Sequence, residues 1–140
     1  QHRRFWREPY PHRWIVRGDG GAVIAHVGVH DKRVEAGSAV YRIGGICEVC
    51  VHPSSRGQGL VRQMLRVVHA WLAEQGYDFA LLFGKPEVYR SSGYRPTDNL
   101  VLELEDESGE KARRLVPGMV RPLSDTPWPA GEVFLPGPKF

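Results

Sequence analysis

With 140 residues, 41% of them apolar, and a formal charge of +3, the chain has the length of one domain and enough apolar material for a core. No apolar run approaches the length of a helix that crosses a bilayer, and so small and scattered a charge does not call for nucleic acid. The start carries no secretory pattern, so a cytoplasmic location without membrane or nucleic-acid partners is expected.

Taken in chain order, Gln1 to His12 (QHRRFWREPYPH) is rich in charge, aromatics and proline and shows no clear strand. Arg13 to Arg17 reads as the first strand, and Gly18-Asp19-Gly20-Gly21 as a hairpin turn into a second, Ala22 to His30. Asp31 to Ala39 is expected to be a polar connection with a short strand at Arg33–Glu35. Val40 to Val51 continues the sheet, bent at Gly44-Gly45. Gln58 to Gln75 is the best helix: Leu60, Val61, Met64, Leu65, Val67, Val68, Trp71 and Leu72 recur at helical spacing, and Gly76 stops it.

Tyr77 to Phe83 reads as a strand, and Pro86 to Ser92 as a short helix opened by its proline. Leu100 to Leu104 alternates as a half-buried strand, and Asp106 to Arg114 is a charged surface turn or short helix. Val116–Leu123 and Val133–Leu135 are the last strands, around the rigid loop Pro127 to Gly131. Without a repeat or a low-complexity linker, residues 1–140 are read as a single domain.

The stretch Val51 to Val61, VHPSSRGQGLV, carries the most chemistry. A strand runs into a glycine-containing turn and then into a helix, whose first N–H groups lack partners and carry partial positive charge. Glycines let the backbone approach an anion, and Arg56 adds a full charge. RGQG alone would read as an ordinary turn. No Lys-Ser/Thr pair follows to make a P-loop, and the G-x-G-x-x-G dinucleotide spacing is absent.

Cys47 and Cys50 form a C-x-x-C. On a regular strand they would point to opposite faces, and no second pair completes a zinc site, so reduced thiols are expected and no metal. His52 is read as a loop residue and His69 as a helix-surface residue.

The run V-x-P-x-x-R-G-Q-G-L-V resembles the acetyl-CoA signature of the GNAT N-acyltransferases, Arg/Gln-x-x-Gly-x-Gly/Ala, with Arg56, Gly59 and Val61 at the marked positions. Val61 departs from it, and its branched side chain is expected to crowd the phosphate site or tilt the helix start. A second segment, FALLFGKPEVYRSSGYRP, resembles that family's Tyr-x-x-x-Gly-Phe/Tyr pattern through Tyr89, Gly93 and Tyr94. The resemblance implies an α/β (α+β) fold: a mixed, mostly antiparallel central sheet with helices on both faces, whose opening strand and helices look absent or reduced here.

The same resemblance implies acetyl-CoA as co-substrate, with Val49, Cys50 and Val51 offering backbone groups to its pantetheine arm. Amides of Arg56, Gly57, Gln58, Gly59, Leu60 and Val61 would hold its phosphates. Weaker likenesses, in RPLSDTPWPAGEVFLPG and around Arg33–Val61, are to nodulation N-acyltransferases and aminoglycoside 2'-N-acetyltransferases.

Acylating a primary amine requires removing a proton from an ammonium of pKa about 10.4, stabilising an oxyanion and protonating a thiolate. Glu48, three residues before Val51, is the candidate base, with a raised pKa if buried; a solvated strand residue or an arginine partner is the competing reading. Tyr89 is the candidate acid, against a packing tyrosine, while Tyr94 reads as structural. Trp6, Tyr10 and Trp14 could form an aromatic wall for the acceptor, with the Trp128 loop contributing.

The expected reaction is therefore acetyl transfer to a small-molecule amine by direct attack in a ternary complex. A longer acyl donor, or a non-catalytic acyl-CoA-binding regulatory domain, are the alternatives. A homodimer, common in the family, is the partner considered.

Overall fold

The computed structural model describes residues 8–140. Nine strands form one twisted sheet: β1 His12–Arg17, β2 Val23–Ala36, β3 Ala39–Val51, β4 Phe79–Leu82, β5 Arg95–Thr97, β6 Leu100–Glu105, β7 Lys111–Leu115, β8 Gly118–Pro122 and β9 Val133–Leu135. Two helices accompany them, α1 Leu60–Glu74 and the single turn α2 Pro86–Tyr89, which a 3₁₀ turn extends to Ser92. The order is β5-β8-β4-β3-β2-β9-β6-β7, with β1 also pairing β2. Among the described residues only β3–β4 and β6–β9 run parallel, so the sheet is mixed and mostly antiparallel, as expected.

Local signals place the early elements. Gly20 and Gly21 take the positive φ that the β1–β2 turn needs, and Gly18 N–H donates to Ala22 O. The α1 pattern buries Met64, Leu65, Val68, His69 and Leu72 along one stripe. These pack with Ile46, Ala80, Leu82 and Tyr94 in a first core cluster, onto which Trp14 of β1 and Tyr89 of α2 also close. The second cluster contains no helical residue. Val34, Ile43, Phe79, Leu81, Leu100, Leu102 and Leu135 are among its members, and Trp128 and Phe140 pack against it.

Three expectations are corrected. Asp31 to Ala36 is not a connection but the second half of β2, laddered against β3 from Asp31↔Gly44 to Ala36↔Ala39. The segment reads as polar because most of its side chains face water, while Val34 is fully buried. Gly44-Gly45 is not a bend. A Cβ on Gly44 would meet Leu72 of α1 at 2.7 Å, and one on Gly45 would meet the Phe140 ring at 2.6 Å, so the pair lets large side chains press on both faces of an unbroken strand. Finally, the charged run after Asp106 is a turn followed by β7. Opposite charges face each other across its ladder, Glu103↔Arg113 and Glu105↔Lys111, and its basic exposed edge suits an edge strand.

Candidate active site

The site begins where β3 and β4 part. Their parallel pairing runs from Ile43↔Phe79 to Ile46↔Leu82 and stops there, because β4 ends while β3 continues to Val51. Among the described residues no strand pairs with the β4-side edge of β3 beyond Ile46. Backbone groups of Val49, Cys50 and Val51 therefore stand at the rim of an open wedge.

A bulge shapes that rim. On β2, His26 pairs with Cys50 and Gly28 with Cys47, so Val27 alone faces both Glu48 and Val49. Glu48 takes φ 48°, the left-handed region that a side chain enters only when its surroundings hold it there. His26 does the holding: its Nδ1 lies 2.8 Å from Glu48 O, and its Nε2 lies 3.4 Å from Tyr10 Oη. A carbonyl can only accept, so Nδ1 carries the proton and Nε2 takes the tyrosine's hydrogen bond. Burial, with Arg13 nearby, keeps His26 below the usual imidazole range and so neutral at pH 7.

The bulge overturns one expectation. Cys47 and Cys50 share a face, because their partners Gly28 and His26 lie two apart on one strand. Both remain thiols: Cys47 is buried, and Cys50 Sγ donates to Glu48 O over 3.3 Å. Glu48 is exposed at the bulge, as in the competing reading of a solvated strand residue.

Tyr89 enters from α2. A Cβ on Gly84 would lie 2.5 Å from its ring, so that glycine makes its seat. The ring stands edge-on to Tyr94 at 6.1 Å. Burial first, then Cys50, pushes the half-buried phenol above its ordinary pKa, which leaves it an O–H donor through neutral pH.

Glu48, Val49 and Tyr89 line one cleft of about 570 Å³. Its walls bring in residues the sequence did not single out, namely Glu8, His30, Phe83, Lys139 and Phe140. Burial and Lys32 keep His30 below the usual imidazole range. Of the expected aromatic wall, Tyr10 lines the cleft, Trp14 packs instead on Trp71 at 5.3 Å, and Trp6 lies outside the described residues. The Trp128 loop does not reach the cleft. Trp128 Nε1 donates to Asn99 Oδ1 and its ring stands against Phe79.

At the start of α1, Gly57 and Gly59 have φ of 78° and 70°. No side chain caps the helix, and the first helical bond runs from Gln63 N–H to Gly59 O, so preceding amides face an open turn. An added Cβ at Gly57 would meet nothing within 4 Å. His52 is a loop residue, as expected, and its Nδ1 accepts from Ser54 N–H.

Val61 is directed into the first core cluster, so it does not crowd the turn. Val61→Gly should therefore leave CoA affinity unchanged and cost about 1 kcal/mol of stability through lost burial and helix propensity. A urea midpoint and a CoA titration read the two effects separately. A tighter CoA complex would restore the crowding idea.

His69 is a core residue and not a surface one. It is 6% exposed, and its Nε2 lies 2.6 Å from Tyr94 Oη. Burial, then Arg121, lowers its pKa to about 3. The unfolded chain binds a proton near pH 6.5 that the folded chain refuses, so stability is steady above that pH and declines as pH falls from about 6.5 to 3. The slope from this group is at most about 1.4 kcal/mol per pH unit. Urea midpoints from pH 7 to 4 test it, and His69→Gln should flatten the decline.

Beside α1 lies a second groove of about 570 Å³ whose lining includes Arg62, Arg66, Arg90 and Arg121 and no acidic residue. Arg121 Nη1 donates to Ser92 O, and Gly93 leaves it the room. The sequence showed these arginines only as scattered charges, because they converge from a helix, a turn and a strand.

The site is thus a parallel pair that parts beyond Ile46, with a bulge at Glu48 on one strand and an uncapped helix start beside it. The family described as acetyltransferase (GNAT) domain matches residues 1–97, and the chain belongs to that family. It is similar to the GNAT family N-acetyltransferase YhbS of Escherichia coli, crystallised with CoA: 24% identity, TM-score 0.64, covering 88% of this chain and 66% of that one. A GNAT acetyltransferase of Brucella melitensis, crystallised with acetyl-CoA, gives 21% identity, TM-score 0.60, and coverage of 86% and 63%. A GCN5-related N-acetyltransferase of Kribbella flavida gives 28% identity and TM-score 0.53 over 58% of this chain and 21% of that one. The chain thus spans less than two thirds of the length of each of these structures. No curated protein sequence matches it.

Proposed function

We propose that this chain transfers an acetyl group from acetyl-CoA to a primary amine of a small molecule, by direct attack while both are bound. The observation that carries the reading is the meeting of Glu48 and Tyr89 in one cleft, at the point where β3 and β4 cease to pair. CoA and acetyl-CoA in the Escherichia coli and Brucella melitensis structures support the choice of donor.

In this reading the amides from Arg56 to Val61 hold the diphosphate, helped by the helix dipole and the Arg56 charge. Arg62, Arg66 and Arg90 offer cations to the nucleotide end. The pantetheine amides hydrogen-bond to the unpaired edge of Val49–Val51, where a strand partner would otherwise lie. Glu48, directly or through one water, takes the proton of the incoming ammonium. Tyr89 gives its hydrogen bond to the departing thiolate.

Two measurements test the reading together: a calorimetric titration with CoA, and thiol release from acetyl-CoA across a panel of amines that includes aminoglycosides. Heat of binding with turnover on at least one amine supports it. Binding without turnover on any amine would leave an acyl-CoA-binding domain, and an absence of binding would end the proposal.

A further inference from the structure

Residues 138–140 fold back into the candidate active site. Pro138, Lys139 and Phe140 line the same cleft as Glu48 and Tyr89. Phe140 is the anchor: its ring lies 5.5 Å from that of His30 and 5.2 Å from that of Phe83, pressed onto the bare backbone of Gly45. Anchored this way, the neighbouring Lys139 holds its Nζ 4.9 Å from the centre of the Phe83 ring. Phe83 directly follows Leu82, the last β4 residue paired with β3, so this ammonium stands at the mouth of the wedge.

Lys139 differs in this from the other lysines. Lys32 is tied to Glu8, and Lys85 and Lys111 are not among the residues lining the cleft. Lys139 is the one lysine in that lining, and it makes no ion pair among the described residues. It is a primary amine on a flexible stem, in the same cleft as the groups that would deprotonate an amine acceptor and hydrogen-bond a departing thiolate.

We propose that Lys139 is itself an acetyl acceptor, modified within its own chain. This rests on the acetyl-CoA reading above. The Lys139 ammonium loses one proton to the Glu48 carboxylate, directly or through water, and the neutral Nζ attacks the thioester carbonyl. The C–N bond forms as the C–S bond breaks, Tyr89 hydrogen-bonds the departing sulfur, and CoA leaves as the thiol. Nitrogen gives up two protons in all: one ends on the sulfur, the other passes to solvent, and Glu48 returns to the carboxylate. Tethering makes the step unimolecular, so it needs no affinity for a free amine. The acetylated side chain is neutral and loses its attraction to the Phe83 ring, which loosens this segment from the cleft.

The test is incubation of the whole chain with acetyl-CoA at low and high protein concentration, followed by intact mass and peptide mapping. The expected result is one acetyl group per chain, at Lys139, formed at a rate independent of protein concentration. Lys139→Arg should abolish the modification, and Tyr89→Phe should slow it about a hundredfold, which spontaneous chemical acetylation would not show. Acetyl groups spread over Lys85 and Lys111, a rate that rises with protein concentration, or a Tyr89→Phe variant that reacts as fast would overturn the proposal. So would an unmodified Lys139 in a sample that acetylates a free amine, and that outcome leaves the acetyltransferase reading standing. A chain that binds no CoA removes both.

Discussion

Replacing Glu48 by glutamine is expected to lower kcat/KM for amine acylation by about 10²- to 10³-fold at pH 7, with the loss shrinking as pH rises. An alkylammonium of pKa about 10.4 is neutral in only roughly one molecule in 2,500 at pH 7. A carboxylate in the cleft removes the proton from the bound cation, so the whole acceptor population can react. Without it the enzyme draws on the small neutral fraction, which grows tenfold with each pH unit. Rate profiles of both proteins from pH 6 to 9.5 should therefore converge at the alkaline end. A deficit of constant size across that range would remove Glu48 from proton transfer.

The backbone allows a control that separates chemistry from folding. Glu48 pays for its left-handed φ of 48°, whereas glycine occupies that region without strain. Glu48→Gly should consequently be more stable, by about 1 kcal/mol, and no more active than the glutamine variant. Loss of activity together with a gain in stability cannot come from misfolding.

Tyr89→Phe is the second large effect, a fall in kcat of about 10²-fold with CoA affinity changed little. The ring keeps its seat against Gly84 and Tyr94, so packing is retained and only the hydroxyl is lost. The thiol of the leaving group has a pKa near 8.5, and an unassisted thiolate must leave with its full charge in a partly apolar cleft. A donor whose thiol is more acidic should therefore narrow the gap between variant and parent. Because burial raises the phenol's pKa, the parent should show no alkaline loss of activity from this group below about pH 10. Equal turnover of the two proteins would make Tyr89 a packing residue.

Much of this was legible in the residues. The periodicity from Leu60 to Leu72, the glycines at 57 and 59, and the hairpin at Gly18–Gly21 are short-range signals, and the corresponding elements stand within a few residues of where they were expected. Glu48 and Tyr89 lie 41 positions apart in the chain, yet the family motifs around them put both in one cleft. What could not be read was anything that depends on a partner. The C-x-x-C was expected to straddle the strand, and an extra residue opposite Val27 turned both thiols to one face. The charged run at Lys111–Leu115 carries no strand pattern of its own and becomes β7 because β6 presents glutamates to its basic residues.

The sequence by itself determined the helix and the turn at its start, because periodicity and glycine φ preferences act over a few residues. The tertiary structure alone decided that β3 bulges at Glu48, that four arginines meet beside α1, and that Lys139 is held over Phe83 in the cleft. Each of these is set by register or packing between segments far apart in the chain. A local pattern carries no record of which distant backbone it will meet.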